Sequence, residues 1–193
     1  MKNNTIIIVF MILLSTSPLL SGEFSSRGMK IGINSAKFVG KDIPGKGVKS
    51  MPGFAIGGFF SYKFNERYSI QSELFLTTKG AKINTMGKIY QSNLFAYFEF
   101  PLLVKMTFLS ENWIKPNIFC GPALAFSYFS LNDTGFLEDI NGTDFGWILG
   151  AGFELWKISF DIRYNRGLVN FDDSEENLDL KNSCISFMLG YSF

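Results

Sequence analysis

Seven ionisable side chains fall at alternating positions of extended segments and would meet on one face: Glu73, Lys79, Glu99, Lys105, Glu154, Asp161 and Arg163. Lys30 and Lys63 stand on the same face as candidates to join them. Three chemistries are open to such a set. Paired and hydrogen-bonded, the charges form a polar plug; separated by water, they line a narrow ion or proton path. With one carboxylate held protonated beside an ionised one, they could perform general acid–base work. Nothing in the sequence marks one carboxylate for that role, so the plug is the preferred reading.

An absent residue narrows the chemistry further. The chain has no histidine, and the usual hydrolytic and acyl-transfer mechanisms rely on a histidine base. The expectation is a protein that is not an enzyme. Metal centres built on His/Cys clusters are excluded likewise, and no cofactor is implied. Cys120 and Cys184 fall on opposite faces of non-neighbouring segments, which argues against a disulfide, whose Cα atoms must lie within about 7 Å.

Other polar groups read as solvated loops. Asp172-Asp173-Ser174-Glu175-Glu176, with Asp179, lacks the spacing of an EF-hand loop. Lys41, Lys46 and Lys49 could touch lipopolysaccharide phosphates but read equally as ordinary loop charge. Asn141-Gly142-Thr143 matches a glycosylation acceptor and reads as a turn. A net charge of +1 gives no reason to expect nucleic acid as a partner.

Charges can share an interior only if the backbone delivers them there. Side chains alternate faces along a strand, and eight segments alternate bulky with small or polar. Gly28 to Phe38 sets Met29, Ile31 and Ile33 against Lys30, Gly32 and Asn34. Gly53 to Phe64 and Tyr68 to Lys79 behave alike, and Tyr90 to Phe108 turns Phe98, Leu102 and Val104 out while Tyr97, Glu99, Pro101 and Lys105 face in. Ile114 to Phe129 opposes Ile118, Cys120, Leu124 and Tyr128 to Asn117, Gly121 and Ala123. Asp144 to Leu155 opposes Phe145, Trp147, Leu149, Phe153 and Leu155 to Asp144, Gly150 and Glu154. Ile158 to Leu168 turns Phe160, Ile162 and Tyr164 away from Asp161 and Arg163. The final segment, Ser183 to Phe193, turns Ile185, Phe187, Leu189, Tyr191 and Phe193 away from Cys184, Ser186 and Met188.

A bulky outer face ending in aromatics suits a transmembrane barrel, where lipid meets the wall and aromatics sit at the water boundary. Trp113, Trp147 and Trp156 read as belt or lipid-facing residues. With 22 Phe, 19 Gly and 17% aromatic residues, the composition suits coiled, aromatic-faced strands. Connections alternate in length. Short ones fall at Asn65-Glu66-Arg67, Ser110-Glu111-Asn112 and Trp156-Lys157; long polar ones fall at Val39 to Lys49, Gly80 to Lys88, Ser130 to Thr143 and Asn170 to Lys181. Bacterial barrels keep short turns periplasmic and long loops outside. Pro101, Pro116 and Pro122 conflict with regular ladders, so bulges or strand ends are expected there. Residues 1–22 carry the order of a secretory signal peptide, with Lys2, the apolar Ile6 to Leu14 and small residues to Gly22. Residues 23–193 are expected to form one outer-membrane barrel domain.

Glu99-Phe100-Pro101-Leu102-Leu103-Val104-Lys105 resembles the E-x-P-L-L-x-K segment of the PorT-like outer-membrane β-barrel domain. Glu73-Leu74-Phe75, Lys79-Gly80-Ala81, Gly121-Pro122, Asp144-Phe145-Gly146, Gly150-Ala151-Gly152, Arg163-Tyr164-Asn165-Arg166-Gly167-Leu168, Lys181-Asn182 and Gly190-Tyr191-Ser192-Phe193 follow in order. The resemblance implies an OmpA/OmpX-type all-β barrel of eight antiparallel, up-and-down strands, without implying one function.

The preferred expectation is a small integral outer-membrane barrel with a filled polar lumen and a structural or surface-interaction role. Its expected partners are outer-membrane lipid and lipopolysaccharide, and the barrel-assembly machinery through the C-terminal strand. A second reading is a non-catalytic subunit of a secretion or envelope machine with a protein partner. A third, a lipocalin-like carrier, requires large apolar residues inside and polar ones outside, the inverse of the pattern found.

Overall fold

The computed structural model describes residues 23–39, 48–85, 88–108, 113–132, 135–136, 143–168 and 181–193. The chain forms β1 (Glu23–Val39), β2 (Val48–Lys63), β3 (Tyr68–Thr85), β4 (Lys88–Thr107), β5 (Ile114–Asn132), β6 (Gly135–Phe136), β7 (Thr143–Leu155), β8 (Ile158–Gly167) and β9 (Lys181–Ser192). The sheet runs β4-β3-β2-β1-β9-β8-β7-β5, and β4 pairs with β5 to close the ring. Every pairing is antiparallel. Two-residue β6 merely flanks the end of β5, so the wall has the eight strands expected from the alternation. Closure leaves no free edge, which a wall crossing hydrocarbon requires.

The two faces sort as the alternation demands. Trp147 and Phe187 are 49% and 55% exposed on the outside, whereas Glu73 and Arg163 are 3% and 5% exposed within. Among the outward aromatics, Phe153 and Phe160 are cross-strand partners stacked at 5.0 Å. Tyr191 and Phe193 meet edge-on at 6.0 Å, while Tyr164 is exposed and Phe145 half-buried. Cys120 lies exposed on the outer face and Cys184 is buried inside, and both are free thiols.

Two expectations need correction. Gly80 to Thr85 is strand rather than loop: the β3–β4 ladder continues from Gly80↔Leu94 to Thr85↔Lys88. Likewise β5 continues to Asn132, paired with Asn93. Ladder hydrogen bonds need only a partner backbone, so strands can outrun the apolar alternation that marks their membrane portion. The prolines are the second correction. Pro116 sits near the start of β5, as expected, but Pro101 and Pro122 lie within strands where the register does not shift. Pairing passes from Ser72↔Leu102 to Phe75↔Glu99 around Pro101, and Pro122 pairs with Trp147 in regular register. A proline removes one donor, and long ladders on both sides hold the alignment across the gap. The register shifts instead at Phe24/Ser26, Ser50/Ala55, Ile83/Asn84 and Ala96/Tyr97.

The signal segment, Lys41, Lys46, the acidic run from Asp172 to Asp179, the Ser110-Glu111-Asn112 turn and Asn141-Gly142 lie outside the described residues.

Candidate functional site: the charged lumen

Glycine builds the seat of the interior. Gly28 faces Phe59 across β1 and β2, Gly57 faces Phe75 across β2 and β3, and Gly150 faces Phe119 across β5 and β7. Each phenylalanine is buried on the inner wall. A Cβ on Gly28 would come within 2.7 Å of Phe59, one on Gly57 within 2.6 Å of Phe75, and one on Gly150 would overlap the Phe119 ring. The missing side chain is therefore the space each ring fills, a close approach that only glycine permits.

Two cations rest on these rings. Lys30 Nζ lies 5.0 Å from the Phe59 ring centre, and the Arg163 guanidinium lies 5.6 Å and 5.2 Å from Phe75 and Phe119. Such contacts hold a desolvated cation at about 2 kcal/mol or more. Arg163 donates from Nη1 to Glu73 Oε2 at 2.5 Å, and from Nη2 to Glu73 Oε1 and Asp161 Oδ2 at 2.8 Å. Lys30 donates to Asp161 Oδ2 at 2.6 Å and to Glu73 Oε1 at 3.1 Å. Gln71 Nε2 adds a bond to Glu73 Oε1 at 2.6 Å. Two cations thus face two carboxylates, with five strands (β1, β3 and β8 carrying charges, β2 and β5 rings) converging on one crossbar of balanced charge.

A second set lies toward the long-loop end. Lys79 Nζ pairs with Glu99 Oε2 at 2.6 Å, and Asn165 Nδ2 donates to Glu99 Oε1 at 2.7 Å. Lys79 also lies 5.7 Å from the buried Tyr97 ring. Between this set and the quartet, free space amounts to about 30 Å³ beside Phe75, Arg163, Ser186 and Met188, roughly one water's share. Toward the short turns, Lys105 pairs with Glu154, whose side chain is 36% exposed. All seven expected lumen residues face inward, though they form three groups rather than one network. Lys30 joins the quartet, whereas Lys63 stands at the short-turn mouth.

Phe59, Phe75, Phe119 and Ile148 on the inner wall escaped the sequence reading. Each sits beside another bulky residue, as in Phe59-Phe60 and Ile148-Leu149, which hides the alternation. The glycine opposite each buried ring was the available signal. At the short-turn end, Trp113 and Trp156 are strongly exposed with rings 6.2 Å apart, as a boundary belt would have them. Trp156 holds a φ of 55° in its tight turn, a conformation that costs a bulky residue about 1–3 kcal/mol.

Closed antiparallel walls, an apolar exterior and a charged, packed lumen define a small transmembrane β-barrel. Residues 6–193 match the family model described as "Outer membrane protein beta-barrel domain", and the chain belongs to that family. No curated protein matches the sequence. Among solved structures, the fold is similar to Neisserial surface protein A (12% identity, 86% of this chain and 97% of that one, TM-score 0.51). It is also similar to OprG from Pseudomonas aeruginosa (11% identity, 89% and 98%, TM-score 0.51). The outer membrane enzyme PagL matches more loosely, at 13% identity over 84% and 99% with a TM-score of 0.46. The likenesses to Neisserial surface protein A and OprG establish fold alone.

Proposed function

We propose that this protein is a non-conducting, non-catalytic barrel whose role in the outer membrane is structural or that of a surface-interaction module. The observation that carries this reading is the crossbar of Lys30, Glu73, Asp161 and Arg163, each at most 5% exposed. An eight-stranded barrel is just wide enough for side chains to fill its interior. Buried charges held by five direct hydrogen bonds and ion pairs have little reason to part for a passing ion. Each of the seven expected lumen charges has an oppositely charged partner, which favours the plug over an acid–base pair. The outward apolar wall is the reverse of what a lipocalin-like carrier needs.

In this reading outer-membrane lipid and lipopolysaccharide surround the wall, and β9 carries the contact with the barrel-assembly machinery. The alternative is a PorT-like subunit of a secretion or envelope machine. Its resembling segment turns Glu99, Pro101, Leu103 and Lys105 into the lumen, where they pack the interior, and Leu102 onto the lipid-facing wall, so no charged side chain of the motif is presented for docking. A stoichiometric partner recovered after mild detergent extraction would favour that alternative. The direct test of the proposal is single-channel recording of the purified monomer in planar bilayers, alongside a heat-modifiability gel that reports folding. Folded protein without steady conductance is expected; a steady, large conductance would overturn the plug.

A further inference from the structure

Among the described residues, charge balance fails at one end of the tube. The short-turn mouth opens into a cavity of about 320 Å³, ringed by Lys63 at the end of β2, Arg67 in the β2–β3 turn, Lys105 on β4 and Lys115 on β5. Its acidic lining is Glu66 and Glu154. Glu154 is already engaged: Lys105 forms an ion pair with it, and Lys115 is its register partner across β5 and β7. Among the described side chains of the lining, four cations therefore face two carboxylates, with Glu23 in register with Lys63 across β1 and β2. A fifth lining cation, Lys157, leans over the outward Tyr191 ring at 6.0 Å and contributes less to the mouth. Hydroxyls of Ser26, Ser69 and Thr107 share the lining, and Asn65 Oδ1 accepts from the Arg67 and Tyr68 backbone N–H groups to fix the turn.

We propose that this mouth binds a phosphate-type oxyanion, held by Lys63, Arg67 and Lys115 above the Lys105–Glu154 pair. A cavity lined by one sign of charge with low-dielectric walls concentrates counter-ions. Point-charge lysines, a forked guanidinium and hydroxyl donors are the groups that oxyanions accept from. The site is a bowl rather than a flat patch, so several cations can reach one multiply charged group together. The mouth opens along the tube axis, away from the lipid-facing wall, which suits a free solute; a phospholipid headgroup of the adjoining leaflet carries the same chemistry. For short-turn ends, that leaflet is the periplasmic one.

The experiment is calorimetric titration of sodium tripolyphosphate into the full barrel in zwitterionic nanodiscs at low ionic strength. Saturable binding to one site is expected, weakening as salt is raised. The double variant Arg67→Gln with Lys115→Gln should lower affinity by about tenfold or more. Lys157→Gln should leave it within about twofold. Both variants should stay folded by heat-modifiability, since all three side chains lie at the surface of the mouth. Repeating the titration in nanodiscs containing phosphatidylglycerol distinguishes the sources: weaker apparent binding assigns the site to a headgroup, and unchanged binding to a free solute. Absence of saturable binding, or equal affinity in the folded double variant, overturns the site.

Discussion

The centre of the lumen and its short-turn mouth hold the same kinds of residue under opposite rules. At the centre, two cations and two carboxylates balance in number, pair directly and are sealed from water. At the mouth, cations outnumber carboxylates among the described lining side chains, and the Glu154 side chain is 36% exposed. Desolvation of an ion costs several kcal/mol, so a sealed region tolerates charge only where it is balanced. An open region keeps its water and tolerates excess. The comparison separates charges that hold the tube shut from charges left over to meet something else.

The largest effect should come from unbalancing the centre. Arg163→Met leaves Glu73 and Asp161 facing Lys30 alone, and breaking a buried pair this way costs about 3–5 kcal/mol. Urea unfolding of the refolded barrel in lipid vesicles measures it. Adding Glu73→Leu restores one cation to one carboxylate, and this double variant should be more stable than Arg163→Met alone. If it is less stable, balance is not what the centre requires.

The seat of the quartet gives the next effect. Gly150→Val would drive into the Phe119 ring beneath Arg163, and overpacking of this kind costs about 1–3 kcal/mol. The same unfolding assay checks it, and Ala151→Val, on the exposed outer face, serves as the neighbouring control. The smallest effect belongs to the mouth. Lys105→Gln removes a pair whose partner is partly solvated, so about 1 kcal/mol or less is expected, diminishing with salt. A loss as large as that of Arg163→Met would erase the distinction between the two regions.

Assembly offers an independent comparison. Phe193 is exposed on the wall, and its amide donates to the Arg27 carbonyl at 2.9 Å to help close β9 on β1. Phe193→Ser should reduce the amount of folded protein in outer-membrane fractions more than the loop change Asp173→Ser, and equal surface levels would count against a role for that strand in assembly.

The outer wall was readable because lipid imposes one requirement on every second residue, and segments such as Trp147 to Leu155 obey it with little interruption. The charged residues were readable for the complementary reason. Their grouping was not, since which of Lys30, Lys79 and Lys105 meets which carboxylate depends on strand stagger across several ladders. Phe59, Phe75 and Phe119 were hidden because an inward ring contradicts a simple inside-polar rule. They become intelligible only beside Gly28, Gly57 and Gly150, whose partnership is set by register rather than by local sequence. The extension of β3 and β4 past Lys79 was missed because backbone pairing leaves no period-two signature once neither face is in hydrocarbon.

Cys120 permits the most direct examination of which surface lipid touches, because it is a native thiol on the outer wall opposite Val104 and Leu149. A nitroxide attached there, with Cys184→Ser removing the inner thiol, can be relaxed by membrane-dissolved oxygen or by a water-soluble nickel chelate. Strong relaxation by oxygen and little by nickel is the result expected of a side chain standing in hydrocarbon. The reverse pattern, with nickel dominant, would mean that the bulky face of the barrel looks into water.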